Sequence, residues 1–432
     1  MATFDRILPE VSEILEDFRT ELASIDWLLI NRDLNGRVRI IAPAVASDGE
    51  ARRTLDGIAE KLKRRIGPRA YSVENAVLYE DDYEAACEGA SLSPLKGFEN
   101  ITIADRLPTA GDWASIAPEA SGAPLVVFFS VKGGVGRSTA LAASALSLAQ
   151  NDKKVLVLDL DLASPGLSSA LLPEDRRPKY GIVDWLVEDL VGDGDPVFDE
   201  IFATSELSRD GEIFVVPAHG RDPGEYISKL GRAWMSVIGS DGKREGWPKR
   251  LRRLIDGLKK ALLPDIVLID ARAGIDDLSS TCVTDLGAKL VLLFALDDDQ
   301  TWSGYRILFR HWRLASVAEE IRERLQLVGA MTPETERDEY LEKMREASYE
   351  LFAGELYDAI PPGEPIEDRW NFEESDEAAP HTPWPIRRNQ GFAALRSLRG
   401  RLAEIDESEI VLIFGPLIEE LRALVEEQNA DE

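Results

Sequence analysis

Cysteine and histidine are scarce in this chain: two cysteines, Cys87 and Cys282, and three histidines in 432 residues. The cysteines lie far apart and form no CxxC pair. That excludes a disulfide framework and a zinc or iron–sulfur cage built within one chain, and a reducing, cytoplasmic setting is expected. His219, His311 and His381 have no metal-ligand spacing. No run of ~18 apolar residues occurs, so no segment is expected to span a membrane. The opening residues, MATFDRILPEVSEILEDF, lack the basic and apolar stretches of a secretory signal. Positive charge is also short, with 50 Lys and Arg against 79 Asp and Glu, a net of −29. Such a field repels nucleic acid and anionic lipid, so nucleic acid is a disfavoured partner unless a local basic patch overrides it.

The acidity is uneven: residues 1–121 carry a net of −8, residues 122–311 a net of −5, and residues 312–432 a net of −16. An anion-binding site fits best in the middle. Residues 1–121 read as a small α+β accessory domain. Helices are expected over 11–29 and 51–66, with strands over 38–42, 76–79 and 101–104. The stretch 108–124 is rich in Pro, Gly, Ala and Ser and reads as a linker. From Leu125 the texture changes to apolar runs separated by amphipathic segments. Strands are expected at 126–130, 155–160, 212–217, 265–270, 289–296 and 325–331, with a seventh candidate at 355–360. Continuous apolar strands alternating with helices indicate an α/β fold, a doubly wound, mostly parallel sheet buried on both faces. Residues 363–390 read as a long irregular loop, acidic at first. Two helices, roughly 391–404 and 409–428, form a helical C-terminal extension of the domain 122–432.

The first expected core strand runs into Lys132-Gly133-Gly134-Val135-Gly136-Arg137-Ser138-Thr139 and then into a helical segment. Strand, glycine loop, helix is the context a phosphate-binding loop needs. Glycines allow backbone conformations closed to other residues and let N–H groups approach phosphate. The helix N-terminus adds its dipole. Residues 133–139 are therefore the candidate nucleotide contacts. Ser138 carries a hydroxyl where such loops place a Mg²⁺ ligand.

KGGVGRST resembles the KGGxGK[ST] deviant Walker A loop of the ParA/MinD/Mrp-type P-loop ATPases (SIMIBI class), over roughly residues 124–331. The resemblance implies ATP and Mg²⁺ as cofactors and an ATP-dependent homodimer. It makes Lys132 the signature lysine that reaches a partner subunit's phosphates. The family's second lysine is here Arg137, which keeps the charge but is planar and prefers bidentate contacts. Slow hydrolysis is expected on that account.

Two later strands end in acids, at the sheet edge where α/β proteins bind ligands. The Asp159–Asp161 pair resembles the family's DxD element, which implies that Asp161 orients the attacking water and Asp159 holds the Mg²⁺ shell. Asp270 ends an apolar strand as a Walker B acid does and would support the metal. Arg272 stands where the family has a neutral residue; neutralising Asp276 and Asp277 is its favoured reading, and a phosphate contact the alternative. The acid run 297–299 reads as a solvated turn. An adenine pocket is expected near Met331 and Pro361.

The segment 243–260 holds eight basic residues around an apolar stripe and reads as a solvated helix face. A nucleic-acid or acidic-partner contact remains its sharper alternative. The C-terminal helix is acidic on its polar face, the wrong sign for a membrane-binding helix of MinD-like proteins. The leading functional expectation is a slow ATP-hydrolysing switch. It would signal its nucleotide state to a protein partner, through the N- or C-terminal regions, in a bacterial multi-component system such as partitioning, transport or phage defence. The competing reading is a catalytically weak or inactive nucleotide-binding scaffold. A ligase or kinase on the same fold would need a substrate-pocket motif, and none is visible.

Overall fold

The computed structural model describes residues 3–107, 111–208, 210–238, 242, 244–360, 369–389, 392 and 398–431. The chain divides into two compact units, Met1–Ser115 and Ile116–Glu432. The division falls six residues before the boundary expected at 121/122. The end of the Pro/Gly/Ala-rich stretch belongs to the second unit, because Ala117 and Ala120 donate backbone hydrogen bonds to Thr284 and Gly287. Residues 108–110 of the expected linker lie outside the described residues.

The first unit is a five-stranded sheet of β1 (Leu28–Arg32), β2 (Val38–Pro43), β3 (Val77–Glu80), β4 (Ser91–Pro94) and β5 (Ile101–Asp105), in the order β3-β2-β1-β5-β4. Its helices Ile7–Glu16 and Gly49–Ile66 bury Val11, Leu15, Leu55, Ile58 and Leu62 in one core with β1 and β2. A single helix over 11–29 is corrected here: the helix ends at Glu16, and Leu28–Arg32 is the central strand. Leu28, Leu29 and Ile30 are fully buried, and β2 and β5 pair with the strand on both sides. Ladder bonds on both edges and burial override the local helical spacing. Strand β4 was not anticipated.

The second unit is built on β6 (Leu125–Phe129), β7 (Lys154–Leu160), β8 (Ala203–Thr204), β9 (Glu212–Val216), β12 (Ile266–Ala271), β13 (Leu290–Ala295), β14 (Leu325–Thr332) and β15 (Trp384–Arg387). A separate two-stranded ribbon of β10 (Val237–Ile238) and β11 (Arg244–Glu245) accounts for the intervening numbers. The order is β15-β14-β13-β6-β12-β7-β9-β8, and every pairing is parallel except β8 with β9. This is a doubly wound, mostly parallel sheet with β6 near its centre, and helices cover both faces as the apolar strands demand. The candidate strand at 355–360 is corrected. Glu355 ends the helix Arg337–Glu355, and the edge position is taken by β15, inside the segment read as irregular. Residues 361–368 and 390 of that segment, and 391 and 393–397 of the expected helix 391–404, lie outside the described residues.

The helix Arg137–Gln150 after β6 is buried along nearly its whole length. Its outer face is covered by the C-terminal helix Glu407–Asp431 through Ile410, Phe414, Leu417, Leu421 and Val425. Arg422 Nη2 donates to Ser147 Oγ of the Arg137–Gln150 helix at 2.8 Å.

Candidate nucleotide-binding site

The chain leaves β6 at the C-terminal edge of the sheet and forms the loop 131–136. Gly134 and Gly136 take φ of +75° and +80°, the left-handed region that a side chain resists. Gly136 is the N-cap of the helix Arg137–Gln150, so the first helical N–H groups open toward the loop. Gly133 and Gly134 are exposed, Val135 is buried, and Ser138 and Thr139 are half-buried on the first turn. Beside them lies a cavity of about 330 Å³ lined by Ser138, Asp161, Ser164, Gly166, Asp270 and Leu398, among others. The loop, Asp161 and Asp270 therefore meet at one edge, as the order of the strands requires.

Arg137 turns inward. Its guanidinium is 7% exposed; Nε donates to Asp270 Oδ1 at 2.7 Å, Nη1 to Ser130 Oγ at 3.1 Å, and Nη2 to Asp161 Oδ2 at 3.5 Å. Ser138 Oγ donates to the other Asp270 oxygen at 2.6 Å. Both oxygens of Asp270 are thus satisfied by the first turn of the helix that follows the loop. Arg137 is the counter-charge of a buried carboxylate cluster rather than a free phosphate-facing cation.

The parallel register sets Asp159 beside Asp270 on neighbouring strands. Asp159 Oδ2 accepts from the backbone N–H groups of Gly166 and Ser168 at 3.2 and 3.3 Å. It caps a turn behind the cavity, which it does not line. Burial and the charge of Asp270 push its carboxyl up to about 7. Asp161 is also raised, by burial and by Asp270, against the opposing pull of Arg137.

A consequence follows for stability. An acid raised from an ordinary value of about 3.9 penalises the folded state as pH climbs toward 7, and the penalty levels off above that. Asp159→Asn, which keeps an oxygen for the two N–H groups, removes that titration. The variant's melting temperature is expected to gain on wild type between pH 5 and pH 8. Thermal unfolding at both pH values checks this, and a gap independent of pH would refute it.

Lys132 Nζ donates to Asp298 Oδ2 at 2.9 Å, and the other oxygen of Asp298 accepts from Thr301 N–H at 2.9 Å as the N-cap of the helix Asp299–Leu314. Burial raises the Asp298 carboxyl, but the bonds from Lys132 and Thr301 outweigh it and leave it below the ordinary range. The reading of 297–299 as a solvated turn missed this residue. The signal was present: an aspartate just ahead of a helical segment is a preferred N-cap, its carboxylate accepting the backbone N–H three residues on.

Arg272 pairs with Asp276 at 3.2 Å, in the neutralising role expected of it. Gly274 N–H donates to Ser130 O at 2.9 Å and ties the loop after β12 to the end of β6. Tyr226, which sequence reasoning did not single out, donates from its hydroxyl to Leu162 O at 2.7 Å, beside Asp161. Met331, at φ +51°, reaches toward the loop: a Cβ on Gly136 would stand 3.4 Å from its Cε. Pro361 lies outside the described residues.

The basic segment is corrected in part. Residues 247–262 form a helix, but Arg250 is fully buried, bonded to Asp189 at 2.7 Å and to Met235 O at 2.8 Å. Arg253 pairs with Asp189 and Glu245. Much of the basic charge is committed within the fold. Lys243 lies outside the described residues.

Residues 123–186 match the family model described as "ParA: NUBPL iron-transfer P-loop NTPase". The septum site-determining protein MinD of Escherichia coli K12 is 27% identical over 173 residues, 40% of this chain and 50% of the relative, and the Shigella flexneri protein matches equally. The chain thus spans about half the length of the curated relatives it matches. Among solved structures, the cell division ATPase MinD of Pyrococcus furiosus is 20% identical, covering 70% of this chain and 99% of that one at a TM-score of 0.44. MinD of Pyrococcus horikoshii, complexed with Mg-ADP, is 19% identical, covering 71% and 98% at 0.43. The ParA/MinD resemblance drawn from the loop is met by the family model and by the curated relatives.

Proposed function

Taking the second unit as a ParA/MinD-type P-loop NTPase fold, we propose that this chain binds ATP, hydrolyses it slowly, and works as a dimeric switch that reports its nucleotide state to a protein partner. The observation that carries the reading is the convergence of Ser138, Asp161 and Asp270 on one cavity at the C-terminal edge of the sheet, directly after the left-handed Gly134 and Gly136 of the loop. Loop N–H groups of residues 133–139 and the helix N-terminus supply the phosphate cradle.

The donor set fits Mg²⁺ held jointly with phosphate. Among the described residues no cluster of three or more His, Cys, Asp or Glu could hold a metal alone. Mg²⁺ needs only one or two protein ligands beside waters and phosphate oxygens. In this reading Ser138 and Asp270 supply those ligands once the hydrogen bond between them opens, and Asp161 Oδ1, buried without a hydrogen-bond partner at the cavity, faces the same space. Asp159 serves the turn behind. The ion would supply charge neutralisation of the phosphates. Asp161 positions the attacking water.

Slow turnover follows from Arg137. To grip phosphate, its guanidinium must loosen a buried pair with Asp270. Turnover is expected on the order of one per minute or less, against ~10 per second for a median enzyme. Lys132 is likewise engaged within its own subunit by Asp298, so completing a neighbour's site means exchanging that partner. With a net charge of −29, two subunits repel, and ATP-bridged contacts and salt favour the dimer.

Calorimetry with ATP and Mg²⁺ and light scattering at two salt concentrations test this. Binding is expected at millimolar ATP or below, with an ATP-dependent dimer. Lys132→Ala should bind ATP and stay monomeric. Absence of ATP binding sinks the reading, and a stable dimer in the variant removes its assembly step. The scaffold alternative, favoured by the inward Arg137, predicts binding with no phosphate release.

A further inference from the structure

A second cavity, of about 370 Å³, lies at the opposite edge of the same sheet. Leu290 and Leu325 begin β13 and β14, so this is the N-terminal edge, away from the nucleotide loop. Trp370, Phe372 and Trp384 supply its aromatic walls, and Glu323, Glu420 and Glu427 its charge. Trp370 and Phe372 meet edge to face at 5.4 Å, and all three rings are half-buried. The three carboxylates are exposed, and among the described residues none of them is in an ion pair. The lining holds one cation, Lys289, and its ammonium is taken by Glu119 at 3.3 Å.

Aromatic faces attract cations through their quadrupole, and a long basic side chain brings an apolar stem with its charged head. Aromatic walls with unpaired carboxylates at the mouth are complementary to such a side chain. An anionic ligand would meet three like charges. We propose that this cavity binds a lysine- or arginine-bearing segment of a partner protein. The site needs no nucleotide chemistry: its lining shares no residue with the nucleotide cavity, and a partner seated there leaves that cavity open.

The test uses the full chain in 0.15 M salt, where the Debye length of about 8 Å suppresses the effect of net charge. Calorimetry is run with tetralysine amide, with cobalt(III) hexaammine as a compact cation lacking an apolar stem, and with tetraglycine amide. Saturable binding of tetralysine, tighter than that of hexaammine, is expected. The triple reversal Glu323→Lys, Glu420→Lys, Glu427→Lys should weaken it roughly tenfold or more, as expected for turning three charge attractions into repulsions. A control reversal of three exposed acids in the first unit, Glu50→Lys, Glu60→Lys and Glu84→Lys, changes net charge equally. It should leave the affinity within about twofold. Equal weakening by both triple variants, or equal affinity for hexaammine, overturns the proposal. A thermal unfolding transition of the triple variant close to that of wild type shows that it is folded, a readout that does not depend on the nucleotide reading.

Discussion

Arg137→Ala is expected to destabilise the second unit by about 3–5 kcal/mol, the range for removing one partner of a buried ion pair. The reason lies in what remains. Asp270 has a side chain 2% exposed, and the Ser138 hydroxyl would be the one side-chain hydrogen bond left of the two described at its carboxyl. Asp161 would lose Arg137, the stronger of the two cations that lower its carboxyl, and keep Arg272. Arg137→Lys restores the charge with fewer directed donors and should recover most of the loss. Because the chain has two units, its unfolding need not be one transition. Tryptophan fluorescence follows the right one, since all tryptophans except Trp27 and Trp113 lie in residues 116–432. An unchanged denaturation midpoint in Arg137→Ala would mean that the guanidinium is not the counter-charge of this cluster.

Asp161→Ala is expected to lower ATP hydrolysis on the order of 100-fold or more, the usual effect of losing a group that handles the attacking water's proton. Stability should not fall with it. Burial already raises the Asp161 carboxyl, and its removal relieves repulsion with Asp270. ATP binding should persist, because the cradle is backbone and Asp161 is no part of it. The variant should therefore accumulate as the ATP-bound dimer. Phosphate release and light scattering on one preparation separate the outcomes: hydrolysis at the wild-type rate withdraws the water-positioning role, and loss of ATP binding assigns Asp161 to the cradle instead.

Several features were legible in the residue string because their signals are local. The apolar runs that became β6, β7, β9, β12, β13 and β14 each bury nearly every side chain, and a continuous run says so without knowledge of neighbours. The glycines at 134 and 136 announced the backbone bends they adopt. Strand-end aspartates at 161 and 270 announced their edge, since all these strands run parallel.

Tertiary structure alone decided the rest. Leu28 and Leu29 close the stretch 11–29 that has the spacing of a helix, yet they begin a strand because two neighbours claim its backbone. Trp384–Arg387 has no strand signature beyond its four residues and pairs because β14 offers an open edge. Above all, Arg137 and Asp270 are 133 positions apart, as Lys132 and Asp298 are 166. No local period relates such residues; only the folded sheet brings their charges within hydrogen-bond reach. The sequence by itself determined that a glycine loop joins a strand of a parallel sheet to a helix. The folded chain determined that both cations are already engaged by carboxylates of their own subunit: Arg137 because a buried charge must find a partner, and Lys132, in a partly exposed pair, because the sheet brings Asp298 beside it.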